Sequence, residues 1–327
     1  MKKDFWKKNG YGIFVAFALT AFTGYALLDT FLIPRPEVVV ENSTSENAGT
    51  KSFVEKESKK ANNVENESSE TMAQEETSQK TVIEPVMTED SYVDSNISIT
   101  ISAYRVNNTD IYVGDISLAS PEYLKTALAN DTYGRNVTET TSRIAKANNA
   151  ILAINGDYYG ARNSGYVIRN GVLYRESSSG GEDLVIYGDG SFEIISEKDL
   201  SARELLEDGA VQVLNFGPAL VVDGEISVTA KEEVGKAMVS NPRTAIGIME
   251  ENHYLFVVSD GRTNASEGLS LYELAEFMKE LGAQTAYNLD GGGSSTMVFG
   301  GSVVNNPTTG GKRISERSVS DILYIGY

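Results

Sequence analysis

The chain has 327 residues, 41% of them hydrophobic, enough for one large domain with an appendage or for two domains. Its formal net charge of −18, from 28 basic and 46 acidic residues, argues against a general affinity for nucleic acid. The absence of cysteine excludes disulfides, thiolate nucleophiles and Cys-ligated zinc, and a single histidine, His253, excludes His-rich metal sites. Catalysis would therefore depend on carboxylates, other polar side chains, backbone N–H groups or a metal held by oxygen atoms.

The N-terminal segment predicts a membrane anchor. Four lysines lie within residues 1–10, and the stretch 11–33 that follows is almost entirely uncharged and apolar. About 20 apolar residues are needed to cross a bilayer core, and the positive-inside rule places the lysines in the cytoplasm. We therefore expect residues 1–34 to form a cytoplasmic tip and a single-pass anchor in the cell membrane, with the rest of the chain extracellular. The alternative is a signal peptide cleaved after Ala26, which would give a secreted protein.

Residues 35–90 differ in composition from the rest of the chain. They contain 13 acidic and 6 basic residues, many Ser, Thr, Asn and Gln residues, and one aromatic residue, Phe53. Such a segment cannot bury enough apolar area to offset the entropy cost of ordering. We therefore expect an acidic, disordered stalk, followed by a globular domain over residues 91–327.

Patterns within the globular part predict strands joined by Gly, Asn and Asp turns, with a few helices. Alternating or apolar runs predict strands over 97–104, 150–154 and 321–325, and helices are expected over 121–128 and 137–147. Asn170-Gly171 and Asp223-Gly224 each predict a type I′ hairpin turn, because these residue pairs tolerate two positive φ angles.

The region 241–299 is the most informative. Strands are expected over 244–249 and 254–259, and a hairpin between them would place Arg243 opposite Asp260. The capping box of Ser270 and Glu273 then predicts a helix that ends near Gly282, followed by a strand over 285–289. Strand, helix and strand make a βαβ unit, so the two outer strands are expected to be parallel. We therefore expect an α+β fold with a mixed β-sheet core, a βαβ unit, hairpins, helices packed around it and a preceding transmembrane helix.

Polar groups are expected to converge at one edge of this sheet. Asp260 and Asp290 both follow strands that run in the same direction, and Arg243 reaches the same edge through the hairpin. If the strand at 150–154 joins this sheet in parallel, Asn155 and Asp157 arrive there as well. Sheets that contain parallel strands commonly bind ligands at such an edge.

The sharpest motif is Asp290-Gly291-Gly292-Gly293-Ser294-Ser295. Consecutive glycines let the backbone approach a ligand closely and can direct N–H groups towards an anion, while Ser294 and Ser295 add hydroxyl groups. The competing interpretation is an ordinary glycine-rich turn. A Walker loop is excluded, because no lysine follows the glycines.

Other charged residues are candidates for the same site. Arg243 is interpreted as a bidentate ligand for a phosphate or carboxylate, and Asn241, Arg262 and Arg317 are further candidates for binding the substrate. Glu182 lies in a polar loop and could act as an acid or base. His253 is expected to lie in the hairpin loop, away from the site.

The sequence resembles the phosphodiester glycosidase family. The resemblance extends over about 150–325, and the matching segments, in chain order, are Ala153–Tyr159, Gly171–Leu173, Asn215–Leu220, Asn241–Gly247, Ser259–Arg262, Gly268–Ala275 and Asn288–Met297. This chain has Asp157 where many family members have a second glycine. The resemblance implies hydrolysis of a sugar-1-phosphodiester.

That chemistry agrees with the residues present. Phosphate is a good leaving group and needs little help from a general acid, whereas charge stabilisation by arginines and N–H groups would assist its departure. Asp290 or Asp260 is the expected base or nucleophile, with Asp157 and Glu182 as alternatives. No cofactor is required, and a divalent metal held by these carboxylates stays open.

The leading hypothesis is therefore an exported, membrane-tethered glycosidase. Its substrate would be an envelope glycan or a sugar-phosphate polymer such as a teichoic acid, and no nucleic acid is expected as a partner. The competing hypotheses are a non-catalytic glycan-binding module and a metal-dependent phosphodiesterase that cuts the P–O bond.

Overall fold

The computed structural model describes residues 2–37, 84–231 and 240–327. Within these ranges the helices are α1 (Lys2–Phe31), α2 (Thr141–Ala147), α3 (Ala202–Glu207) and α4 (Leu271–Glu280). The strands up to residue 200 are β1 (Arg35–Pro36), β2 (Val86–Met87), β3 (Ser91–Val93), β4 (Ile97–Val106), β5 (Thr109–Leu118), β6 (Leu124–Leu128), β7 (Gly134–Arg135), β8 (Leu152–Asn155), β9 (Val167–Arg169), β10 (Val172–Arg175), β11 (Glu182–Tyr187) and β12 (Phe192–Ser196). The remaining strands are β13 (Ala210–Leu214), β14 (Ala219–Val222), β15 (Glu225–Ile226), β16 (Arg243–Glu250), β17 (His253–Ser259), β18 (Thr285–Asn288), β19 (Met297–Phe299), β20 (Ser302–Val303) and β21 (Asp321–Ile325).

The N-terminal predictions are only partly covered by these ranges. Among the residues whose side chains are described, no helix combines the length and the hydropathy needed to cross a membrane. The transmembrane part of the predicted fold class therefore has no support here. Most of the predicted stalk, residues 38–83, lies outside the described residues. The two described ends of the predicted stalk both form strands, since β1 pairs with β7 and β2 pairs with β3, so these ends belong to the folded part rather than to a disordered stalk.

Three sheets build the described globular part. A nine-stranded sheet has the order β15-β14-β18-β16-β17-β5-β4-β3-β2. A second sheet has the order β20-β19-β8-β21-β6 and a third the order β10-β9-β13-β11-β12, while β1 and β7 form a separate two-stranded ribbon. Sheets with only a few helices confirm the predicted α+β class.

The main hydrophobic core lies where the three sheets meet. It contains Ile116 and Phe256 from the nine-stranded sheet, Ile154 from the second sheet, and Leu184 and Leu214 from the third. The helix α4 covers the other face of the nine-stranded sheet. Its apolar residues recur at helical spacing and form one buried stripe, namely Leu271, Leu274, Ala275, Phe277 and Met278.

The predicted βαβ unit is present in a modified form. The strands β17 and β18 both pair antiparallel with β16, so they run parallel to each other with β16 between them. Their carboxyl ends therefore lie at the same edge of the sheet, as expected. The capping box of Ser270 and Glu273 starts α4, and Gly282 with φ of 96° follows its end.

The predicted hairpin register was wrong by one residue. At the loop end, Glu250 pairs with His253, and continuing that register would place Arg243 opposite Asp260. A bulge between Ile248 and Glu250 shifts the register, so Arg243 pairs with Ser259 instead. Asp260 still follows directly after the strand, at the same edge.

Two local predictions also need correction. The segment 121–128 forms a short 3-10 turn and the strand β6, because alternate residues of β6 are buried against β21 and sheet pairing overrides helix propensity. The helix predicted over 137–147 starts only at Thr141. Both type I′ turns are confirmed, since Asn170, Gly171, Asp223 and Gly224 all have positive φ.

Candidate active site

Asp290 lies at a wall shared by two cavities. It follows β18, and it lines a larger cavity of about 300 Å³ and a smaller one of about 180 Å³. Arg317 lines both cavities as well, and the two side chains form an ion pair with Nη2 and Oδ2 separated by 2.8 Å. The motif singled out in the sequence is therefore placed beside open space.

The carboxylate of Asp290 is buried but well supplied with donors. Its Oδ2 atom accepts hydrogen bonds from Ser294 Oγ at 2.6 Å and from Arg317 Nη2 at 2.8 Å. Burial raises the pKa of Asp290 above its ordinary value, and Arg317 and Ser294 oppose that rise because they stabilise the ionised form. A carboxyl with a perturbed pKa at a cavity wall is a candidate acid, base or nucleophile.

The smaller cavity is lined by three arginines, Arg243, Arg262 and Arg317. Arg243 is buried at the start of β16, and its Nε atom donates to the carbonyl of Leu269 at 2.8 Å. Arg262 donates from Nε and Nη2 to Oδ1 of Asn241, at 3.0 and 2.8 Å. Three guanidinium groups around one small space are suited to a phosphate, which accepts bidentate hydrogen bonds from arginine.

Burial and the neighbouring arginine affect Arg262. Its pKa is lowered, chiefly because burial disfavours the charged guanidinium and secondly because the charge of Arg317 is close. Its backbone has a φ of 60°, which is unusual for a residue other than glycine. A bound anion would relieve the repulsion between the two guanidinium groups.

The triple glycine packs closely against its neighbours, and part of the predicted anion nest is occupied within the protein. The N–H of Gly292 donates to the carbonyl of Pro242 at 2.8 Å, and the N–H of Ser294 donates to the carbonyl of Gly291. These two N–H groups are thus used within the protein, so the predicted nest is not formed by them. A Cβ at Gly292 would lie 2.8 Å from Nη2 of Arg262, and one at Gly293 would overlap Thr309. The glycines therefore let Arg262 lie against the loop.

Asn155 reaches the site from a different sheet than expected. It ends β8, which belongs to the second sheet rather than to that of β16 and β18. Its Nδ2 atom donates to the carbonyl of Asp290 at 2.7 Å, and its Oδ1 atom accepts from Thr244 Oγ1 at 2.8 Å. Packing of the two sheets, rather than strand pairing, brings Asn155 beside Asp290. Its role is to hold the backbone of the motif.

Asp157 belongs to a buried ionic triad. Arg169, whose side chain is 2% exposed, donates to Asp157 Oδ2 and to Asp321 Oδ2, each at 2.8 Å. Arg169 lies in the third sheet and Asp321 in the second, so the triad connects the two sheets. Asp157 also accepts from the backbone N–H groups of Tyr159 and Asn215, each at 2.9 Å. Its carboxylate is fully occupied, which favours a structural role.

The triad predicts a pH dependence of stability. Burial, together with the charge of Asp157, raises the pKa of Asp321 to about 7 although Arg169 opposes the shift, compared with about 3.9 for an aspartate in an unfolded chain. Between these values the folded state holds a proton that the unfolded state lacks. This contribution to stability is complete below about pH 4 and is lost as the pH rises through about 7.

Asp321→Asn removes this titration. Relative to the variant, the wild type should lose up to about 1.4 kcal/mol of unfolding free energy for each pH unit between about 4 and 7. Urea unfolding of both proteins at several pH values measures the difference. Asp223→Asn, in a hairpin turn where Asn also fits, serves as the control and should keep the wild-type slope. Parallel curves for Asp321→Asn and the wild type would contradict the expectation.

Two predicted catalytic carboxylates do not line either cavity. Asp260 is buried, and its oxygens accept from Asn305 Nδ2 at 3.1 Å and from the backbone N–H and Nδ2 of Asn306, each at 2.8 Å. Glu182 is exposed at the start of β11 and accepts from the N–H of Ala219 at 2.6 Å. Neither geometry favours a catalytic role; Asp260 instead fixes the loop that begins at Asn305.

Of the remaining predicted residues, some line a cavity and others do not. Asn241 lines the smaller cavity, whereas Ser295 is fully buried and lines neither. His253 lies at the loop end of the hairpin, as expected, and contacts Asp115 at 2.7 Å. Arg169 was missed, because in the sequence it appears only as the end of a short strand before an Asn-Gly turn. Within the described residues, no group of three or more Asp, Glu or His side chains is arranged to hold a metal.

Comparison with known proteins identifies the family of the chain. A profile of the phosphodiester glycosidase family matches residues 148–326, more than half of the chain. The chain belongs to the phosphodiester glycosidase family. The matched range includes Asp290, Arg243 and Arg317. It also includes every residue from Asp157 onwards that lines either cavity.

Individual family members are similar over part of their length. The uncharacterized SPbeta prophage-derived protein YomE of Bacillus subtilis is 31% identical over 203 residues, which are 60% of this chain and 31% of that protein. Human N-acetylglucosamine-1-phosphodiester alpha-N-acetylglucosaminidase is 31% identical over 185 residues, which are 52% of this chain and 36% of the enzyme. The chain thus spans about a third of these curated relatives.

A solved structure shares the fold. The catalytic domain of the zebrafish N-acetylglucosamine-1-phosphodiester alpha-N-acetylglucosaminidase, described as auto-inhibited by its pro-peptide, superposes with a TM-score of 0.57 and 24% identity. The superposition covers 71% of this chain and 83% of that domain. The fold of this chain is therefore similar to that of the zebrafish domain.

Proposed function

We propose that this family member hydrolyses sugar-1-phosphodiester linkages in a cell-envelope polysaccharide or a teichoic-acid-like polymer. The observation that carries the proposal is the ion pair of Asp290 and Arg317 in the wall common to both cavities. The name of the human relative supplies the bond class, a sugar-1-phosphodiester. The envelope location rests on the expected export of the chain.

The two cavities suit the two halves of such a substrate. The smaller one, with Arg243, Arg262 and Arg317, would hold the phosphate. The larger one has a volume of about 300 Å³, at the lower end of the roughly 300–1,000 Å³ that is usual for ligand sites. Its wall includes the hydroxyl groups of Thr138 and Ser318, and the exposed ring of Tyr158 can stack on a sugar. The anomeric carbon would then lie beside Asp290.

The chemical step follows from this placement. A water molecule attacks the anomeric carbon while ionised Asp290 takes one of its protons. The bond between the anomeric carbon and the bridging oxygen breaks, and its electron pair stays on the phosphate oxygen. Arg317 and Arg262 stabilise the charge that develops on the phosphomonoester product. No general acid is needed, because the phosphate leaves as an anion.

Isotope labelling tests which bond is cleaved. The purified protein is incubated with the methyl phosphodiester of N-acetylglucosamine 1-phosphate in ¹⁸O water, and both products are analysed by mass spectrometry. Label at the anomeric oxygen of the sugar together with unlabelled methyl phosphate supports the proposal. Label on the phosphate would identify a phosphodiesterase that attacks phosphorus instead. Tight binding of the substrate with no product over many hours would identify a binding module.

Arg317→Gln is expected to change the pH profile. Arg317 lowers the pKa of Asp290, so its removal raises that pKa further, and the acid limb of kcat/KM should move to higher pH. The maximal kcat/KM should fall about tenfold or more, because one charged donor to the phosphate is lost. Arg317→Lys keeps the positive charge and should move the limb less. A reduced rate with an unshifted acid limb in Arg317→Gln would show that Asp290 is not the base.

A further inference from the structure

Arg135 differs from the other charged side chains of the larger cavity. Asp157, Asp290 and Arg317, which also line this cavity, are each in an ion pair within the protein. Arg135 has no such partner among the described residues, and its Nε atom is buried without a hydrogen-bond partner there. A buried donor without an acceptor is costly and usually indicates a missing ligand or water.

The position of Arg135 separates it from the phosphate site. It lies on β7 and lines only the larger cavity, whereas Arg243 and Arg262 line only the smaller one. The proposed function already uses the smaller cavity for the scissile phosphate. A cation in the larger cavity is thus available to the part of the substrate that carries the sugar. A general excess of basic residues does not explain this cation, since the chain has a net charge of −18.

We propose that Arg135 binds an anionic group carried by the sugar itself. This inference rests on the proposed function and narrows its substrate class. The preferred substrate would be a sugar with a phosphate or carboxylate of its own, in addition to the scissile phosphodiester at its anomeric carbon. A polymer of sugar phosphates has this property, because each sugar is esterified on both sides. A polymer that contains uronic acids has it through the carboxylate.

Matched substrates test the proposal. The reference substrate is the methyl phosphodiester of N-acetylglucosamine 1-phosphate, whose sugar is neutral. Three derivatives carry an additional phosphate at position 3, 4 or 6, and a fourth carries a carboxylate in place of the 6-hydroxymethyl group. For each, kcat and KM are measured with the wild type, Arg135→Gln and Arg143→Gln. Arg143 lies on α2 outside both cavities, is exposed, and serves as the control arginine.

The expected result is a wild-type preference of about tenfold or more in kcat/KM for at least one anionic derivative, expressed mainly in KM. Arg135→Gln should lose that preference, keep its kcat on the neutral substrate, and leave the melting temperature unchanged. Arg143→Gln should keep the preference. The derivative preferred by the wild type identifies phosphate or carboxylate as the group.

Two outcomes would overturn the inference. One is equal kcat/KM of the wild type for all five substrates, and the other is a preference that persists in Arg135→Gln. The proposed function would survive either outcome, provided that the neutral substrate is hydrolysed. Absence of turnover on every substrate would instead contradict the proposed function itself, so the two failures are distinguishable.

Discussion

Asp290→Asn is expected to lower kcat for a sugar-1-phosphodiester about 100-fold or more, because general-base assistance contributes on the order of 10²–10⁴ to a rate. Asn retains the shape of the side chain and can still accept hydrogen bonds from Ser294 and Arg317. It cannot take a proton from water. KM should change little, since the phosphate would still contact the three arginines of the smaller cavity. Steady-state kinetics with the methyl phosphodiester of N-acetylglucosamine 1-phosphate measure both values.

Asp260→Asn is the matched control for this experiment. Asp260 and Asp290 are both buried aspartates that follow parallel strands at one edge of the same sheet. The carboxylate of Asp260, however, is occupied by Asn305 and Asn306 and lines neither cavity. Asp260→Asn should therefore lower the melting temperature while kcat stays within about threefold of the wild type. Equal losses of kcat in the two variants would mean that Asp290 supports the fold rather than the reaction.

The sequence predicts the edge of the sheet at which the candidate site lies, but not the arrangement of side chains within that site. Asp290 and Arg243 could be placed at one edge, because strand direction follows from the hairpin and the helix between the strands. The register error of one residue arose from the bulge near Met249, and bulges leave no clear signal in hydrophobic alternation. The choice between Asp260 and Asp290 depended on the loop around Asn305, whose position no local pattern predicts.

Contacts between sheets are the other part that the sequence does not predict. Asn155 was expected beside Asp290 through strand pairing, but it arrives because a second sheet packs there. The triad of Arg169 joins residues that are 12 and 152 positions apart in the chain. From the sequence alone, a buried arginine on a short strand cannot be distinguished from a solvent-exposed arginine on an edge strand. Only the packing of the third sheet against the second shows what it binds.

Arg169→Gln is expected to lower the free energy of unfolding by about 3–5 kcal/mol at neutral pH. The substitution leaves Asp157 and Asp321 buried without their shared cation, and removing one partner from a buried ionic group is far more costly than replacing the whole group. Arg169 also donates to the carbonyls of Ile168 and Val213, so these acceptors lose a partner too. Urea unfolding followed by circular dichroism measures the loss.

The pH dependence separates this effect from a simple packing defect. As the pH falls, Asp321 binds a proton in the variant, so part of the uncompensated charge disappears and the deficit relative to the wild type should shrink. Arg169→Lys keeps one positive charge but not the fork that contacts both carboxylates, and it should be destabilised less than Arg169→Gln. A deficit that is the same from about pH 5 to pH 8 would contradict the electrostatic account.

Arg169→Gln should also lower the rate of the reaction, because the triad is connected to Asp290 through backbone hydrogen bonds. The segment that ends at Asp157 is hydrogen-bonded to Asp290. Asn155 Nδ2 donates to the carbonyl of Asp290, and the carbonyl of Gly156 accepts from the N–H of Asp290. At a temperature where Arg169→Gln stays folded, loosening of Asp157 should therefore lower kcat while binding of inorganic phosphate in the smaller cavity is retained. Arg169→Lys should restore part of kcat, because an ion pair to Asp157 again fixes the segment. Unchanged kcat in a folded Arg169→Gln protein would mean that the triad contributes only to stability. The position of Asp290 would then be fixed by the glycine loop and Arg317.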